Sequence, residues 1–411
     1  MKLEYFIAKR LVKPEASQNK FSKTIVNIAV TAVALGILMM VVSIATGMGL
    51  QNKIRDKVSS FNGHILISSF TGNESNVSVN PISLHQTFYP SFKNISGIKH
   101  IQGVASKAGI IRTSKAFEGV VFKGVGKDYD FTQLKDYLQQ GRMPILNQEL
   151  NNEVLISEYL VKRLQLKLGD SFDTFFMKEG QNKLPNFRRF KIVGIYNSGI
   201  QEFDASYLII DLRHIQRMNK WTPDQVGNFE VYVSKFSEIE EKTNEVEQEI
   251  GSFLHAQSIE TKYYYIFDWL KLFDSNIVLI ITVMLLVAVI NMIVALLVLV
   301  LERIPMIGIL KSLGMTNTNV RKIFLYNALY IVVKGLLIGN IIAISLLLIQ
   351  KYGQIVKLNS ENYYVTIAPV YINPLQIIAL NLFVVVVIAI FLVIPTYIIT
   401  YITPSKSIRF K

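Results

Sequence analysis

Four runs of apolar residues, 25–48, 276–301, 324–349 and 375–401, decide what this chain can fold into. A helix rises 1.5 Å per residue, so crossing a hydrocarbon layer takes about 20 mostly apolar residues in one stretch. Each run is long enough. The apolar residues are bunched rather than periodic, and with 51% hydrophobic and only 18% charged residues among 411 they exclude a single soluble domain. Between the first and second runs lies 49–275, a segment of ordinary soluble texture whose 227 residues can bury a core of their own. The expected fold is an α-helical membrane protein with four transmembrane helices and an α+β domain inserted between the first and second.

The net charge of +13 invites a nucleic-acid reading, and its distribution removes it. The inserted segment holds 27 Lys and Arg against 26 Asp and Glu, so it is nearly neutral. Thirteen basic residues sit instead in 1–24, 302–323 and 402–411, against only Glu4, Glu15 and Glu302. Lys and Arg flank membrane spans on the cytoplasmic side. Both termini and the 302–323 loop are therefore expected in the cytoplasm, with 49–275 and 350–374 facing outward. The run after Lys23 is longer than a signal-peptide core of roughly 7–15 residues and no small-residue cleavage site follows it, so it is expected to remain as an anchor.

Residues 1–24 begin with a mixture of cations and apolar side chains that suits a helix lying in the headgroup layer. In the inserted domain, β-type runs at 64–68, 109–112, 119–122, 153–156, 171–177, 190–195, 207–210 and 229–233 alternate with helices, one capped by Ser157 and one over 237–254 with Ile239, Val246, Ile250 and Leu254 inward. Two subdomains are expected, the membrane-distal one spanning about 111–226. Glu202, Asp204 and Asp211 read as solvated surface. Tyr263–Ser275 is aromatic and suits the membrane interface. Asn291, Asn327, Asn340 and Asn381 lie within the spans, as does Lys334, which is expected to snorkel toward the cytoplasmic surface.

The stretch Glu302–Met315 stands out between the second and third spans. Pro305 suits a first helical turn and Gly314 the left-handed position after a last one. Met306, Ile309, Leu310 and Leu313 fall at i, i+3, i+4 and i+7, giving a short helix with an apolar face and cations at both ends. Such a face has to rest in lipid headgroups or in a groove on a soluble partner.

Catalytic chemistry is missing. The five histidines show no ligand spacing, there is no cysteine, and Gly124-Val125-Gly126-Lys127 is followed by Asp128 where a phosphate loop needs Ser or Thr. The chain itself is expected to be no enzyme and to carry no cofactor or metal.

Taken together these features resemble the LolC/LolE permeases of lipoprotein-releasing ABC transporters, within the superfamily that includes the MacB and FtsX proteins. The resemblance rests on Glu302, Ile307, Gly308, Ile309, Leu310, Lys311, Leu313 and Gly314, which follow the pattern of the family's cytoplasmic coupling helix, and on the closing Pro404, Ile408, Arg409 and Phe410. Gly141-Arg142-Met143-Pro144, Glu153–Glu158 and Leu166–Asp170 are similar to segments shared across the superfamily's external domains, while Gly194–Asp204 and Tyr363–Val370 are nearer the lipoprotein branch. The chain departs from the family's charged cluster at Ile304, Pro305 and Met306, and from its usual residues at Asn327 and Lys334.

The resemblance implies a permease subunit of the bacterial inner membrane, multi-pass, with its large domain in the periplasm. A LolD-like ABC ATPase supplies ATP and Mg and docks on Glu302, Arg303, Met306, Ile307, Gly308, Ile309, Leu310, Lys311, Leu313 and Gly314. A second permease subunit completes the complex. Met40, Ile44, Met48, Phe273, Ile277 and Ile281 would line a cavity for the lipoprotein's acyl chains, and the hairpin tip, with Leu184, Pro185 and Phe187, would touch a LolA-like periplasmic chaperone. The alternatives are an FtsX-like mechanical or signalling transmitter and a MacB-like efflux permease.

Overall fold

The first apolar run does not stop where its apolar residues do. No Gly or Pro interrupts 50–62, and Leu50, Ile54, Val58 and Phe61 recur on one buried stripe, so the helix Lys20–Asn62 runs on until Gly63 turns it at φ +69°. A computed structural model describes residues 3–12, 20–71, 77–114, 116–146, 149–177 and 185–402. It divides the chain into a helical unit, Met1–Gln51, Trp269–Lys357 and Ile367–Lys411, and an inserted unit, Asn52–Asp268 with Leu358–Thr366.

The helical unit holds the four candidate spans, Thr24–Asn62, Tyr264–Glu302, Asn317–Gly353 and Pro374–Tyr401, the first of which continues into the other unit. Between the second and third lies a nine-residue helix, Ile304–Ser312, here called the elbow. The spans touch through small residues. A Cβ on Gly339 would come within 2.6 Å of Ala34 O, and one on Gly335 within 2.8 Å of Val33, so the first and third helices approach backbone to backbone. Farther along, Asn340 and Asn381 exchange amide hydrogen bonds of 2.9 and 3.2 Å between the third and fourth helices. Leu3–Val12 is a helix as expected. Its Ala8 is buried, and Tyr5 meets Tyr326 of the third helix edge-on at 6.2 Å.

The inserted unit is built on one ten-stranded mixed sheet. Its strands are β1 (Ile65–Ser69), β3 (Ile98–Arg112), β4 (Phe117–Val125), β5 (Leu138–Gly141), β6 (Glu153–Ser157), β7 (Ser171–Phe176), β8 (Asn186–Tyr196), β9 (Tyr207–Asp211), β11 (Asn228–Val233) and β12 (Leu254–Ser258); β2 (Ile82–Ser83) and β10 (Gln225–Val226) pair separately. The order β12-β1-β11-β3-β4-β9-β6-β8-β5, with β7 bridging β3 and β8, puts strands from both ends of the insert at one side and strands from its middle at the other. The two expected subdomains thus share one sheet.

Within the inserted unit, sequence expectation and structure part at one helix and at two carboxylates. The helix expected over 237–254 is Ile239–Glu249, because Gly251 at φ +78° ends the run and Leu254 starts β12, although Ile239, Val246, Ile250 and Leu254 are all buried as expected. Asp204 and Asp211 are not solvated. Asp204 accepts from the N–H groups of Ser198 and Gly199, at 3.0 Å each, and Asp211 caps the helix Leu212–Asn219 through Arg213 N at 2.9 Å. Satisfying orphan backbone donors draws both carboxylates inward, and burial raises the Asp204 pKa above the usual carboxylate value.

Buried polar links complete the unit. Lys123 Nζ donates at 2.5 Å to both Glu230 Oε1 and Phe61 O, tying the end of the first helix to β4 and β11. Lys57 Nζ donates to Tyr364 O at 2.8 Å and fastens the Leu358–Thr366 segment. Gly124 serves packing, since a Cβ there would lie 2.8 Å from Leu212 Cα.

Candidate functional site

The elbow is the element around which the site is built. Arg303, at φ −105° and ψ 18°, breaks the helical path after Glu302, and Pro305 sits in the elbow's first turn, where its missing N–H costs nothing. At the other end Gly314 takes φ +89°, donates to Lys311 O at 3.0 Å, and Met315 N donates to Leu310 O at 3.0 Å. This is a Schellman stop: the left-handed glycine satisfies two carbonyls that would otherwise be bare. Thr316 then caps the third helix.

The residues expected to dock an ATPase do not all face one way. Ile307 is fully buried and Gly308 is buried with it, while Met306 and Leu310 pack against the apolar core of the spans. Ile309 and Leu313 are exposed, at 52% and 79%, beside exposed Pro305 and Gly314. The expected apolar face is therefore split. One half fixes the elbow to the spans and the other is left bare. Glu302 and Arg303 are half-buried. Lys311 turns inward, its ammonium donating to Ile399 O at 2.6 Å and Ile402 O at 2.7 Å, and burial lowers its pKa from the ordinary lysine value. Arg321 lies 4.0 Å above the Tyr397 ring and donates to Thr400 Oγ1.

The residues expected to line an acyl cavity lie on the first and second helices, which meet at Gly47 and Ile277. Met40 is fully buried in the helix-packing core, and Ile44 and Ile281 pack against that core. Ile277 closes on Gly47, where a Cβ would sit 2.5 Å from its Cδ1. Met48 and Phe273 are half-buried, and Trp269 meets Phe273 edge-on at 4.9 Å. Gln51 joins the same two helices, donating to Asp274 Oδ1 at 2.7 Å and Leu270 O at 3.3 Å.

At the β7–β8 hairpin, Phe187 on β8 is half exposed and stands opposite Phe175 of β7, with ring centroids 5.7 Å apart; Pro185 is exposed. Leu184 lies outside the described residues, as do Pro404–Phe410. Lys334 is exposed midway along the third helix, and Asn327 is buried. Among the described residues, no three His, Asp or Glu side chains cluster as a metal site.

The comparisons follow this division of the chain. Residues 28–250 match the family described as MacB-like periplasmic core domain, more than half of the sequence, and residues 278–404 match the one described as FtsX-like permease C-terminal. The chain belongs to the MacB/FtsX-like permease family. Within it the chain is of the LolC/LolE type and is an ABC transporter permease, with four membrane helices and a periplasmic-type α+β domain. It is 21% identical over 340 residues to the Haemophilus influenzae lipoprotein-releasing system transmembrane protein LolC, covering 80% of each chain. It is 20% identical over 353 residues to LolE of the same organism, covering 85% of this chain and 83% of that one. A solved structure, the periplasmic region of MacB from Actinobacillus actinomycetemcomitans, is 18% identical and covers 50% of this chain and 92% of its own, with a TM-score of 0.34.

Three features of this permease escaped the sequence reading. Gly335 and Gly339, four apart on an apolar helix, are a legible small-residue packing signal. The Asn340–Asn381 pair was visible only as two separate amides. The inward turn of Lys311 had no local signal, because its acceptors lie 88 and 91 residues away.

Proposed function

We propose that this chain is the transmembrane permease subunit of a lipoprotein-releasing ABC transporter. Two permease subunits, whether two copies or a pair of related chains, act with cytoplasmic LolD-like ATPases that bind ATP and Mg. They extract acylated lipoproteins from the outer leaflet of the inner membrane and hand them to a LolA-like periplasmic chaperone. The single observation that carries this reading is the elbow: a nine-residue helix, fixed on one side by Ile307, Met306 and Leu310, that leaves Ile309 and Leu313 bare on the other. Covering such a side chain is worth about 1.5–3 kcal/mol, enough for two of them to anchor a docking contact. The names of the relatives matched over four-fifths of the chain supply the cargo.

An external energy source is required by the chemistry of the cargo. Each methylene removed from lipid costs about 0.8 kcal/mol, so pulling out a dozen costs on the order of 10 kcal/mol. The basic residues of 1–24, 302–323 and 402–411 support a cytoplasmic elbow and termini and a periplasmic inserted domain. The first and second helices, at Met40, Ile44, Met48, Phe273, Ile277 and Ile281, would part to admit acyl chains, and Pro185 and Phe187, with Leu184, would meet the chaperone.

The test is depletion of the chain. Outer-membrane lipoproteins should then accumulate in the inner-membrane fraction. The FtsX-like match over 278–404 keeps a second reading open, that of a transmitter moving an external partner without cargo. Normal lipoprotein sorting together with defective cell-wall processing would select that reading instead.

A further inference from the structure

Every cation in an exposed docking helix invites assignment to the partner, and Lys311 is the exception here. At about 100° per residue Lys311 lies roughly 160° around the elbow from Leu313 and Ile309, on the opposite side from the bare pair. Its ammonium is committed to two carbonyls of its own chain, Ile399 O at 2.6 Å in the short helical turn Ile398–Tyr401 and Ile402 O at 2.7 Å just after it. That turn follows Pro395 and is closed by Ile402, whose N–H donates to Ile399 O at 3.4 Å, so the ammonium adds a second and shorter bond to that carbonyl. Arg321, from the first turns of the third helix, reaches the same place, stacking 4.0 Å over Tyr397 and donating to Thr400 Oγ1. Two cations that flank the elbow's stop thus converge on the negative end of the fourth span. Within 302–323 the sole carboxylate is Glu302, so little in the loop competes for them.

We infer that Lys311 is a positioning residue, which with Arg321 clasps the elbow to the fourth span so that a push on Ile309 and Leu313 is delivered to that span. The elbow then has two working faces. One receives force from the ATPase, and the other passes it on through two hydrogen bonds to a helix end more than 80 residues away. The clasp deepens the proposed function and rests on its docking contact, for which a Leu313→Glu variant run alongside is the separate control.

The experiment uses the full chain co-expressed with its ATPase in membrane vesicles, and reads ATPase retained on the membrane and palmitate-labelled lipoprotein released per ATP hydrolysed. Lys311→Met should keep the ATPase within about twofold of the parent while the release ratio falls about tenfold, the equivalent of about one charge-assisted hydrogen bond. Lys311→Arg should restore most of the ratio. Because the chain has no native cysteine, a Lys311→Cys, Ile402→Cys pair joined by a short bifunctional maleimide replaces the clasp with a covalent one, and release should survive. A Lys311→Met chain that sheds its ATPase as Leu313→Glu does would make Lys311 a partner contact and overturn the inference. So would a cross-link that stops release, since elbow and span would then have to move apart.

Discussion

The helical unit and the inserted domain solve the same problem, holding a chain together, with opposite means. In the domain, water drives apolar groups inward and leaves room for a few buried charges, such as the Lys123–Glu230 pair, provided every one is paired. Lipid offers no such drive between helices, so the spans rely on close approach at Gly335 and Gly339 and on amides that pair across the interface, Asn340 with Asn381. The comparison teaches where each unit is brittle: the domain at its charges, the spans at their smallest residues.

The largest expected effect comes from breaking the domain's ion pair on one side only. Lys123→Met leaves Glu230 buried without its partner and strips Phe61 O of its donor, and should cost about 3–5 kcal/mol in denaturant unfolding of the full chain in micelles. The double variant Lys123→Met, Glu230→Met should recover much of that loss. On the helical side, Gly339→Leu has no room against Ala34 and should cost about 2 kcal/mol, read as a lowered melting temperature of the helical unit, while a change to Leu at exposed Ile342 should do nothing measurable.

A pH experiment sharpens the contrast. Burial lowers the His64 pKa to about 4, and its Nδ1 accepts from Val233 N at 3.0 Å, so the folded domain holds the neutral ring. The unfolded chain takes up a proton near pH 6.5 and the folded one only near 4, so stability is full above 6.5 and is lost as pH falls between the two. About 1 kcal/mol should be gone by pH 5.5, and His64→Gln should flatten that limb. The smallest effect belongs to the paired amides. Asn381→Leu should cost about 0.6 kcal/mol, because amides within membranes find other partners when unfolded.

How much of this was readable follows from the range of the interactions. The four spans and the elbow's ends are local: length, hydropathy, Pro305 and Gly314 specify them, and Ser157 capping its helix through Leu160 N is equally short-range. Which half of the elbow's apolar face stays bare was not local. Leu310 and Leu313 share one helical stripe, and only the packing of distant spans decides that the first is covered and the second is not. The same holds for Met40, whose place between helices needs its neighbours, whereas Asp204 and Asp211 turn inward to backbone N–H groups no more than six residues away, a local capping signal that the reading as solvated surface passed over. Periodicity finds a face. It does not say what covers it.

The account's central claim is that the bare half of the elbow receives an ATPase, and co-purification tests it most directly. Leu313→Glu, a surface change that should leave folding intact, is predicted to strip the ATPase from the detergent-solubilised full chain, with Ile309→Glu doing the same. A chain carrying both changes that still co-purifies with its ATPase in parental amount, and still releases lipoprotein, would contradict the account.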